Sequence, residues 1–269
     1  MKVVISKENG SLQWNGVYYF GLSQFPSITD WDLKTLVKFV EYEKRHNRKT
    51  EFTCENDDLL QRIHYAVLNP ETVLSVKIPD ELTNCNYCLH KMCFTRFLCH
   101  TSDVESAKSI LSGGEILSAV NVRKTTGIEL AQEPRNAAGD PPDYFDYIML
   151  SWGNCPAGDK LVTERKSGRF PNEADLGINF SPGIRFFFEY KAVIEHPAFV
   201  FDGYHSAKIK DRIKLSDNLS ACIIPKHLEN EMCDFIPPYL KNKTFFIEHS
   251  GEDLLKWTEK VYGFIDSVF

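Results

Sequence analysis

The spacing of apolar and polar residues changes character along the chain. Over residues 1–25 the two kinds alternate, with Gly10 and Gly16 as breaks, which predicts a hairpin of residues 3–6 with residues 16–20. A helical period follows. Thr29, with Asp32 three residues on, reads as a helix start, and Leu33, Leu36, Val37 and Val40 share one face. The helix runs into Lys44-Arg45-His46-Asn47-Arg48-Lys49, a basic stretch suited to a helix C-terminus. A solvated helix end explains it more simply than a phosphate contact does. A second helix is predicted over residues 57–68, with Leu59, Leu60, Ile63 and Val67 inward and Asn69-Pro70 as the stop. Residues 73–76 read as a short strand.

Beyond residue 92 extended patterns dominate. Residues 93–100 predict a strand with Cys93, Thr95, Phe97 and Cys99 on one face and Phe94, Arg96, Leu98 and His100 on the other. Ser102-x-x-Glu105 reads as a capping box opening a helix that Gly113-Gly114 closes. Val104, Ala107, Ile110 and Leu111 would be its apolar face, and residues 115–120 resume extended structure. Residues 121–143 are polar and read as a long loop, and residues 154–175 are again polar. Further strands are expected at 147–152, 177–180, 186–193, 199–201, 221–224 and 244–247. Ser181-Pro182 leaves a helix start open beside the strand at 186–193. A last helix starts near Ser250-x-x-Asp253 and buries Leu254, Trp257, Val261 and Phe264.

With 269 residues the length allows one or two domains. The shift in pattern divides them as 1–84, a small hairpin and helical subdomain, and 85–269, a larger α+β domain with a mixed or antiparallel sheet. The net charge of -6 offers no global attraction for nucleic acid or an anionic membrane, although a local basic surface remains open. The apolar run after Met1 is too short for a signal peptide, and no stretch approaches the ~18 apolar residues of a membrane span. A cytoplasmic protein with no membrane partner is expected, and its 8 cysteines are then reduced thiols.

Candidate chemistry gathers at strand ends. Arg96-Phe97-Leu98-Cys99-His100-Thr101-Ser102 delivers an imidazole and, two residues on, a hydroxyl to the same side of a strand. Such a pair can grip an amide or a ribose diol; the plain alternative is a strand-end His bonded to a carbonyl and a Ser that only caps a helix. Gly177-Ile178-Asn179-Phe180-Ser181 and Arg185-Phe186-Phe187-Phe188-Glu189-Tyr190 bring aromatic rings and a second hydroxyl, equally suited to a core cluster. Trp152 and Asn154 end one strand, and Asp202-Gly203-Tyr204-His205 follows another, as ligand contacts or as turns.

His100-x-Ser102, followed by a helix ending Ile110-Leu111-Ser112-Gly113-Gly114, resembles the ADP-ribosyltransferase fold, distantly the DarT-type and poly(ADP-ribose) polymerase-type enzymes. The resemblance implies NAD as substrate and transfer of ADP-ribose to a macromolecule, nucleic acid or protein, in a toxin or phage-defence setting. It implies that His100 and Ser102 hold the nicotinamide ribose and carboxamide. Phe180, Phe186 or Tyr190 would stack on nicotinamide, with Ser181 nearby, and Arg123 and Lys124 would meet the pyrophosphate. His100, Ser102 and Phe180 would then line one cleft. The family also places a Glu on a late strand. Residues 219–225 carry none, so Glu229, Glu231 or Glu189 must supply the acid, or the fold binds a ligand without turnover.

A competing chemistry is metal. Cys85-x2-Cys88-x4-Cys93-x5-Cys99-His100, with His90 between, has zinc-like elements and would suit a zinc-stabilised nucleic-acid-binding protein. Six strand steps separate Cys93 from Cys99 by ~20 Å, which disfavours a shared ion. No metal is assigned on this basis.

Overall fold

In the computed structural model, residues 1–7, 11–14, 16–77, 94–133 and 140–269 are described. The chain divides into two compact units. The first is Met1–Pro79 with Ala138–Pro141 and Phe201–Ser206; the second is Asp80–Ala137, Pro142–Val200 and Ala207–Phe269.

The first unit contains β1 (Lys2–Ser6), β2 (Leu12–Trp14), β3 (Val17–Gly21), α1 (Asp30–Arg45), β4 (Glu51–Cys54), α2 (Asp57–Leu68) and α3 (Glu71–Leu74). Its sheet runs β2-β3-β1-β4. The expected hairpin is corrected here. β1 pairs with β3 in parallel, and the antiparallel partner of β3 is β2. Alternation alone fixes that two strands share a core face, not their relative direction. Val3, Ile5, Tyr18 and Phe20 of the sheet meet Leu33, Leu36 and Phe39 of α1 and Leu59 and Ile63 of α2. α1 starts in a capping box: Thr29 Oγ1 accepts from the Asp32 amide at 3.1 Å, and the Asp32 carboxylate accepts from the Thr29 amide at 3.0 Å.

The basic run at the end of α1 is largely occupied within the fold. Arg48 Nε donates to both oxygens of the buried Glu43 carboxylate at 3.0 and 2.9 Å, and His46 Nδ1 lies 2.8 Å from the Tyr42 carbonyl. Residues 73–76 do not form a strand. Thr72 donates through its amide and hydroxyl to the Asn69 carbonyl, which winds the segment into α3. The Asp202-Gly203-Tyr204-His205 segment is a packed turn. Asp202 Oδ1 accepts from the amides of Tyr204 and His205 at 2.9 and 2.8 Å. Gly203 has φ +74, and a Cβ there would sit 2.2 Å from the Thr35 carbonyl, so close approach to α1 requires glycine.

The second unit contains the strands β5 (Phe97–Ser102), β6 (Glu115–Leu117), β7 (Tyr147–Trp152), β8 (Ile184–Glu189), β9 (Phe199–Val200), β10 (Ala207–Lys210), β11 (Arg212–Lys214), β12 (Leu219–Pro225) and β13 (Thr244–Ile247). Its helices are α4 (Val104–Gly113), α5 (Ala119–Arg123), α6 (Gly127–Ala131), α7 (Ala157–Ser167), α8 (Glu173–Leu176), α9 (Tyr190–Ile194), α10 (Leu215–Asn218), α11 (Glu229–Met232) and α12 (Leu254–Val268). Seven strands form one mixed sheet in the order β13-β12-β8-β5-β7-β10-β9, and β6 pairs with β11 separately. Helices and mixed sheets agree with an α+β class.

β5 lies mid-sheet, antiparallel to β8 and β7. Strand alternation sorts its neighbours into two cores. On one face Leu98, Ile184, Phe186, Phe188, Leu150, Cys222 and Ile224 meet Ala107 and Leu111 of α4. On the other, Phe97, Cys99, Phe187, Ala221 and Ile223 meet Leu254, Trp257, Val261 and Ile265 of α12. α4 starts one residue later than expected, because Asp103 rather than Ser102 accepts from the Ser106 amide, at 2.8 Å. The polar stretch from residue 154 holds α7 and leads into α8. α7 buries only Asp159 and Val162, so it has no apolar stripe to read. Residues 177–180 are not a strand; they follow α8 in a turn. The strand expected at 186–193 ends at Glu189, and Tyr190 begins α9.

Candidate functional site

His100 and Ser102 are the last inward-facing pair of β5. In register His100 lies opposite Phe186 and Ser102 opposite Ile184, on the α4-covered face. Ser102 is buried and His100 partly so. Burial pushes the His100 imidazole down to about 4, against a hydrogen bond to the Met149 backbone, and the Arg165 charge adds to the lowering. At neutral pH the ring is therefore uncharged, with one donor and one acceptor nitrogen. That suits gripping a neutral polar ligand group.

The aromatic partners differ from those expected. Phe180 lies in the opposite core, with Phe187 and α12, and its ring is 5.8 Å from that of His249. It cannot line a cleft with His100, because the sheet stands between them. Ser181, beside it, is exposed. Phe186 shares the His100 face but is fully buried. Tyr190 is on that face too, partly exposed and packed at 5.2 Å against Trp152, which meets Phe94 at 5.0 Å. Trp152 pairs with Leu98 in register. His100 is then its diagonal neighbour on the same face, at ~7–8 Å between backbones and within reach of an indole. On this face Trp152 and Tyr190 lie toward the start of β5, level with Leu98 and Arg96, and His100 and Ser102 lie toward its end.

Glu229 and Glu231 follow β12, which runs parallel to β5 with β8 between them. Both leave the sheet at the end where Ser102 leaves it. Glu231 is 2.7 Å from Lys108 of α4, and Glu229 is 2.6 Å from Lys226. Lys108 stands ~6 Å, one turn, into the helix that follows Ser102. Glu189 is at the far end of β8, 3.2 Å from Arg96. Arg123 is exposed at the end of α5, which packs on α6 and the 3-10 turn Pro142–Asp146. Lys124 caps that helix in the left-handed region, φ 52.

Cys85, Cys88, His90 and Cys93 lie outside the described residues. Cys99 and His100 project to opposite faces of β5, so they cannot ligate one ion together, and burial pushes the Cys99 thiol up to about 12. Among the described residues no group of three His, Cys, Asp or Glu side chains is placed to hold a metal ion. Purified protein is expected to carry no stoichiometric zinc. Elemental analysis finding about one zinc per chain, lost on Cys85→Ser or Cys88→Ser, would overturn this.

One buried constellation escaped the sequence reading. Arg185 lies opposite Thr101 on the α12 face and is fully buried with Asp159. Arg185 Nε donates to Asp159 Oδ2 at 2.7 Å, and Nη2 donates to Thr258 Oγ1 at 2.7 Å. The signal was available: a lone Arg within Gly183-Ile184-Arg185-Phe186-Phe187-Phe188 demands a buried counter-charge.

The His100 titration has a stability consequence. An unfolded imidazole binds its proton at about 6.5, whereas the folded one waits until about 4. In that window the unfolded state takes up a proton that the folded state refuses. Stability from this group is complete above about pH 6.5 and declines as pH falls toward about 4. The melting temperature should drop more over this window in the wild type than in His100→Gln. Parallel curves would contradict it.

Comparison with family models, curated proteins and solved structures gives no significant match.

Proposed function

We propose that the His100 face binds NAD and that the chain transfers ADP-ribose from it to a macromolecular acceptor, nucleic acid or protein. The observation that carries this is a neutral imidazole and a hydroxyl two residues apart at the end of a central strand, with Trp152 and Tyr190 on the same face. A dinucleotide offers what these groups bind. Ribose hydroxyls and a carboxamide suit His100 and Ser102, and a flat ring of the dinucleotide suits the Trp152–Tyr190 pair further along the same face.

In the reaction, the bond between ribose C1′ and the nicotinamide nitrogen breaks, and its electron pair leaves with nicotinamide. The positive charge left on the ribose needs a fixed negative partner, for which Glu231 and Glu229 are the candidates. An acceptor nucleophile then bonds to C1′ and gives up its proton to a carboxylate or to solvent. Chromatographic detection of nicotinamide released from NAD, with and without nucleic acid or protein acceptors, tests the proposal. Release is expected; a protein that neither binds nor cleaves NAD refutes it.

A second reading is favoured by one observation. Strand β12 presents Ala221 and Cys222 where the resemblance asks for an acid, and Glu229 and Glu231 are each paired with a lysine. NAD binding without nicotinamide release would make the chain a binding module of the same face.

A further inference from the structure

We propose that Asp159 and Arg185 are positioning residues, a buried pair on the far side of the sheet that fixes the backbone of His100-Thr101-Ser102. This rests on the assignment of His100 and Ser102 to the ligand site.

The geometry converges on Thr101, the residue between them. A Cβ added at Gly158 would lie 2.3 Å from Thr101 Oγ1, and one at Gly183 would lie 2.8 Å from Thr101 Cγ2 and 2.7 Å from the Ser102 carbonyl. Thr101 is thus clamped between the first turn of α7 and the residues leading into β8. Asp159 ties the two jaws together. It follows Gly158 in the chain, and its Oδ1 accepts from the Gly183 amide at 2.7 Å. Its Oδ2 accepts from Arg185 Nε at 2.7 Å, and Arg185 stands opposite Thr101 in register. Arg185 extends the tie to α12 through Thr258, whose hydroxyl in turn donates to the Leu254 carbonyl at 2.8 Å.

Stability alone does not account for this arrangement. Desolvating two charges costs what their attraction returns, and well-packed apolar residues often serve as well. Arg185 Nη1 is buried and, among the described residues, makes no hydrogen bond, so the pair is not fully compensated. What it supplies that an apolar pair would not is direction. One carboxylate fixes a backbone amide of one jaw and a guanidinium in β8, holding both at set distances from Thr101.

The test separates positioning from packing. Asp159→Leu combined with Arg185→Met removes both charges together and leaves the Gly183 amide as the one group deprived of its acceptor. The double variant is expected to melt within a few degrees of the wild type. Its ligand-free His100 imidazole resonances should nevertheless shift or broaden, and kcat for nicotinamide release should fall at least tenfold with KM changed less. Unchanged His100 resonances overturn the proposal whatever the activity. Shifted resonances in a protein whose wild type does not use NAD would sustain the positioning role and refute the assigned function. Should the double variant not fold, Thr258→Val removes one acceptor of Arg185 without touching Thr101. It is then expected to move the same resonances, and their invariance would count against the proposal.

Discussion

Replacing Phe186 by Ala is expected to cost about 3–5 kcal/mol, enough to consume much of the stability of a domain. Phe186 is fully buried, lies opposite His100 on one side and Cys222 on the other, and forms part of the core beneath α4. Three neighbouring strands meet at this ring, so the site cannot collapse around the lost volume without moving β5 or β12. Urea unfolding of the second unit should show a lower midpoint with an unchanged slope. A loss under about 1 kcal/mol would mean that the sheet is packed differently at its centre.

The second large effect concerns the acid. Glu231→Ala is expected to lower nicotinamide release by about 100-fold or more while NAD affinity changes little, because the lost contact belongs to the transition state. Glu229→Ala is the companion variant. Lys108 retains Glu105 at 2.7 Å in the Glu231 variant, so α4 keeps an ion pair and the fold should be undisturbed. Steady-state kinetics with calorimetric NAD binding on the same samples separates the two quantities. Wild-type turnover in both variants would remove these carboxylates from the reaction.

Much of the scaffold was legible because burial and period coincide in it. α2 and β7 have the bounds that their patterns predict, and the Thr29 cap and the Gly114 stop both follow from local chemistry. What was illegible lacked an apolar signal. α7 is polar almost throughout, and its one informative inward residue is a charge, Asp159, whose meaning depends on Arg185 from β8. The candidate site was half legible. The alternation of β5 put His100 and Ser102 on one face, but nothing local to Phe180 told which side of the sheet its turn would reach. Trp152 was visible only as an aromatic at a strand end. Its place beside His100 depends on the pairing of β5 with β7, a long-range register that no window of sequence contains.

The central claim is that His100 and its aromatic neighbours form a dinucleotide site, and calorimetric titration of NAD into wild type, His100→Ala and Trp152→Ala tests it most directly. The wild type should bind one NAD per chain saturably, with affinity reduced about tenfold or more in each variant, as the loss of a ligand hydrogen bond or a stacking surface requires. Phe180→Ala, on the other side of the sheet, should bind as the wild type does if it stays folded. No saturable binding by the wild type, or equal affinity in all four proteins, would contradict the account.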